Sequence, residues 1–145
     1  METTVARLRY VLQVLEAAVA GKKATLPILQ NVLVGEGKAW ATNLDTAVSI
    51  EFPEATDDPV LLPHQQLLSM LKNIPAATRL TLNREGEVIK LSAGATSAEF
   101  PVPGEVADFP PFPSLHPAAE AQVDADLFLK TATALAPYAA TDVGR

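Results

Sequence analysis

A chain of 145 residues with 48% hydrophobic side chains is about one domain long and can bury a core, which excludes wholesale disorder. Eleven basic and seventeen acidic residues give a net charge of −6, which excludes a uniformly basic nucleic-acid coat but leaves room for a local basic patch. The absence of cysteine removes disulfides, thiolate metal sites and cysteine nucleophiles, and two distant histidines, His64 and His116, do not make a zinc centre.

No apolar run reaches the ~18–20 residues of a membrane span. The opening METTVARLRY also lacks the apolar stretch of a signal peptide, so the sequence reads as soluble and cytoplasmic, with no membrane partner and no cofactor. The first 24 residues carry a net +2 and the remainder −8. Val5, Leu8, Leu12, Leu15 and Val19 recur every three or four residues, the stripe of an amphipathic helix. Thr3 or Thr4 serves as its N-cap and Gly21 as its stop, and the basic loop GKKAT follows. LPILQNVLV predicts a strand with Pro27 near its start, paired across a GEGK turn with a run from about Lys38 to Phe52.

A short strand around Val60 to Leu62 leads into a second helix, PHQQLLSMLKNI, with Leu67, Leu68, Leu71 and Ile74 on its apolar face. From Arg79 to Val102 the alternation of RLTLN, the turn REGE, the run VIKLS and the segment AEFPV predict antiparallel strands. Two helices and about six strands argue an α+β layer, an antiparallel sheet with two helices packed on one face. Six of the twelve prolines then crowd into PVPGEVADFPPFPSLHP, which reads as an extended linker with a boundary near residues 110–120. Beyond it, AEAQVDADLF predicts a strand entering a helix faced by Leu127, Leu129, Ala132 and Leu135. A strand and helix of this size cannot bury themselves, so the piece is read as docked on the first domain or as the opening of a second one.

KKATLPILQNVLV followed by AWATNLDTAVSI resembles the first domain of the bacterial replicative sliding clamp, the DNA polymerase III beta subunit. That family carries a TLPIL.N segment after its first helix and a T-D-L-E bend, which read here as TLPILQN from Thr25 and as Thr42-Asn43-Leu44-Asp45. LKNIP matches the close of the family's second helix, and the hairpin to AEFPV with Ala107-Asp108-Phe109-Pro110 is similar to its SRFSL…ADFP. The likeness runs in order through essentially the whole chain. It makes residues 1–117 a first clamp domain and 118–145 the first strand and helix of a truncated second one.

The resemblance implies a non-catalytic processivity factor: two chains of three similar domains close around duplex DNA, helices inward, and tether polymerase to template. Its partners would be duplex DNA through sequence-independent backbone contacts and, in the full-length chain, a second clamp subunit, the clamp loader and DNA polymerases. Lys22 and Lys23 match the family's basic loop at the DNA backbone, Lys72 matches a basic residue near the end of the second helix, and Arg7 and Arg9 are weaker DNA-facing candidates. Two adjacent ammonium groups suit phosphate contact without base readout. Phe100 and Val102, with Gln66, fall where the family closes its ring. Pro101, Pro103 and Glu99 depart from the usual geometry and charge there, because proline donates no hydrogen bond to an added strand.

Two other readings compete. One is a stand-alone α+β protein-interaction module that retains the clamp-domain fold. The other is a small hydrolase using Asp45, Asp108 or His64, the weakest of the three because its polar groups are scattered. Asn43 and Asp45 suit a bend, Asp108 a turn, His64 a surface or capping position and Trp40 the core. No G-x-x-x-x-G-K-[ST], H-E-x-x-H or G-x-S-x-G pattern occurs.

Overall fold

The computed structural model describes residues 1–114 and 116–139. Glu2–Thr4 form a short strand, β1, and Thr4 then caps helix α1, Val5–Leu15, its side-chain oxygen accepting from the Arg7 N–H at 3.2 Å. Val5, Leu8, Val11, Leu12 and Leu15 are buried along one face. The helix ends well before Gly21, the expected stop. The Glu16 N–H donates to the Gln13 carbonyl, a 3-10 turn covers Glu16–Ala18, and Val19 is already extended. Ala20 donates to the Leu29 carbonyl at 3.0 Å, so the chain is drawn out of the helical path before the glycine is reached.

Strands β2 (Asn31–Gly35), β3 (Lys38–Thr42), β4 (Ala47–Glu51) and β5 (Val60–Pro63) form one antiparallel sheet in the order β4-β3-β2-β5. β2 starts later than expected because Pro27 opens a 3-10 turn, Pro27–Gln30, rather than a strand. The run from Lys38 to Phe52 is two strands, folded back at the Asn43–Thr46 turn. Glu36 and Gly37 both have positive φ, 53° and 72°, the twist a two-residue hairpin turn requires. Gly35 is needed for closeness: a Cβ there would lie 2.6 Å from the Pro59 Cα.

Helix α2, His64–Leu71, follows β5 directly and packs against α1. Strands β6 (Arg79–Glu85), β7 (Val88–Ala93) and β8 (Thr96–Pro101) then meander, and β1 joins them at the far side, giving the order β1-β6-β7-β8. The fold is α+β with antiparallel strands, as expected, but the strands divide between two four-stranded sheets rather than forming one. Val32, Val34, Ala39, Ala41 and Leu62 from one sheet meet Leu80, Leu82, Ile89 and Leu91 from the other, with the apolar faces of α1 and α2, in a shared core. Each fully buried leucine or isoleucine there contributes about 1.5–3 kcal/mol relative to exposure.

The opposite face of the β2–β5 sheet carries a second, smaller cluster, Leu29, Leu33, Leu61 and Phe109, with Trp40, Ile28 and Val106 against it. The proline-rich run is therefore not linker throughout. Its first part crosses this sheet, turns through Val106–Asp108, and buries Phe109. The compact unit closes at Pro113.

A second unit begins at Ser114. Its residues 116–124 take no strand in place of the one read from AEAQVDADLF, since a strand needs a partner for its backbone groups. Helix α3, Ala125–Leu135, is capped by Asp124, whose carboxylate accepts from the Leu127 N–H at 2.8 Å, and a 3-10 turn with Pro137 follows. Leu127, Phe128, Leu129 and Leu135 are exposed. The terminal TDVGR lies outside the described residues.

Candidate nucleic-acid interface

Lys22 and Lys23 occupy the two central positions of a tight turn, closed by the Ala24 N–H donating to the Gly21 carbonyl at 2.9 Å. That geometry projects both ammonium groups into solvent, and neither is in an ion pair among the described residues. Lys72 is the exposed C-cap of α2, where the negative end of the helix also favours a cation. Arg9 lies half-buried on α1.

Arg7 differs. Its Nη2 donates to the Glu51 carbonyl at 2.8 Å, its Nε lies 3.6 Å from a Glu54 carboxylate oxygen, and its guanidinium stands about 6 Å from the rings of both Tyr10 and Phe52. It fastens α1 to the end of β4, with its charge partly answered inside the protein.

His64, expected at the surface, is 2% exposed. The helix end explains it. Because Glu16 bonds to Gln13 rather than Leu12, the Leu12 carbonyl is left over, and His64 Nε2 donates to it at 2.8 Å. The carbonyl can only accept, so Nε2 carries a proton, and Nδ1 is buried without a partner. A hollow of about 300 Å³ adjoins this ring, Lys22 and the first turn of α2. The sequence offered one signal for it, a histidine directly after a strand and a proline, which does not reveal a carbonyl 52 residues away.

Gln66 is exposed on the first turn of α2. Phe100 and Val102 are half-buried and pack against the main core, and β8 is an edge strand. Val102 donates to the Glu87 carbonyl, so by alternation the outward positions are Ser97, Glu99, Pro101 and Pro103, of which only the first two carry an N–H. Next to this edge Lys90 pairs with Glu85 diagonally across β6 and β7, and the hydrogen bond it donates to the Glu85 carboxylate, and then the charge of that carboxylate, raise the Lys90 pKa above the usual lysine value.

Two sheets sharing one core under two helices is the arrangement seen in a solved DNA polymerase III subunit beta from Pseudomonas aeruginosa. That structure aligns over 99% of this chain at a TM-score of 0.79 and 22% identity. This is the sliding-clamp domain fold. A Caulobacter crescentus pol III beta matches over 78% at TM-score 0.68 and 26% identity, and a Bartonella birtlesii sliding clamp bound to griselimycin over 80% at 0.65 and 21%. The chain spans 40% of the length of the Pseudomonas chain and about a third of the other two. No family model and no curated protein matches the chain.

Within the clamp fold Asp45 and Asp108 lie in separate turns. Asn43 Oδ1 accepts from the Asp45 and Thr46 N–H groups, which makes this bend a self-braced turn, and Asp108 is exposed in the turn before Phe109. At the open end between the two sheets a cleft of about 800 Å³ brings Asp58, Glu85 and Glu105 beside Arg84 over an apolar floor that includes Val34, Val60 and Leu82. Among the described residues no three His, Cys, Asp or Glu side chains are grouped to hold a metal ion, and no helix is long and apolar enough to cross a membrane.

Proposed function

We propose that the chain supplies the first domain, and the start of the second, of a ring that encircles duplex DNA and tethers the replicative polymerase in the cytoplasm, without chemistry of its own. The fold likeness over 99% of the chain is the observation that carries this reading. Lys22, Lys23 and Lys72, with Arg9, would meet backbone phosphates, and the compensated Arg7 would contribute least. Such contacts are weak and sequence-independent, as sliding requires, and an acidic remainder keeps the ring from adhering to its template.

Ring closure with a second subunit would use β8 with Phe100, Val102 and Gln66. Its missing donors at Pro101 and Pro103 favour side-chain packing over a fully bonded added strand. Clamp loader and polymerases are partners of the whole ring. The test is fluorescence anisotropy of a labelled duplex of arbitrary sequence at rising salt. Weak binding is expected, with a log–log salt slope that falls by about one for each phosphate contact removed in Lys22→Ala and Lys23→Ala. Tight, salt-resistant or sequence-specific binding would overturn the reading.

The exposed apolar side chains of α3 favour a second reading, a stand-alone α+β protein-interaction module. A native reading frame encoding two further clamp-like domains decides for the ring, and a stop codon after Arg145 decides for the module.

A further inference from the structure

We draw no further inference here: the strongest candidate, the cleft of about 800 Å³ at the open end between the two sheets, mixes Asp58, Glu85 and Glu105 with Arg84 over its apolar floor, and nothing in the structure shows what covers it.

Discussion

Helices α1 and α3 are close counterparts in local construction. Each has eleven residues, each is started by a side-chain oxygen that accepts from the N–H three residues on, and each runs into a three-residue 3-10 turn. Their surroundings separate them: α1 buries five apolar residues among two sheets and α2, whereas Leu127, Leu129 and Leu135 of α3 are about 60% exposed. Capping and periodicity make a helix; burial is conferred by whatever the rest of the chain brings to its apolar face.

The comparison can be broken most forcefully at the leucines. Leu12→Ala is expected to cost about 3 kcal/mol in urea unfolding, through lost burial and the cavity left behind. Leu129→Ala in α3 is expected to stay within about 0.5 kcal/mol. A comparable loss at Leu129 would mean that α3 is buried in solution.

Gly35→Ala asks whether the sheet behind α1 is as tightly fitted as its contacts imply. The new methyl meets the Pro59 backbone at 2.6 Å, and a loss of about 1–3 kcal/mol is expected in the same assay. The caps come next. Thr4→Ala should lower the unfolding free energy by about 1 kcal/mol, whereas Asp124→Ala, of similar local cost, should show in the helical circular dichroism and in α3 amide shifts rather than in the main transition.

The smallest effect belongs to Glu85→Gln, which removes the partner of the exposed Lys90 and should leave the thermal midpoint unchanged at neutral pH. Because pairing raises the Lys90 pKa, its contribution is present below the ordinary lysine value and is lost as pH climbs through the raised one. Any difference between wild type and E85Q should therefore vanish only in strong alkali.

The same division explains what could be read from sequence. Periodicity located α1, α2 and the β6–β7 hairpin, because those signals are local. β1 was invisible, since three residues at the N-terminus make a strand only when β6 arrives beside them. The two-sheet division was equally hidden in one alternating run. GKKAT announced exposed lysines, and the structure places them at the tip of a closed turn. Nothing local announced that His64 turns inward to a spare carbonyl, because that carbonyl is freed by the way a distant helix ends.

Phe109, seated over Leu33 and Leu61, has a consequence for where this unit can be cut. A chain ending with β8 would have every strand in place and still present a bare oily panel to water. The stretch after the last strand therefore acts as a latch, and the smallest self-sufficient piece of this protein is longer than its regular secondary structure.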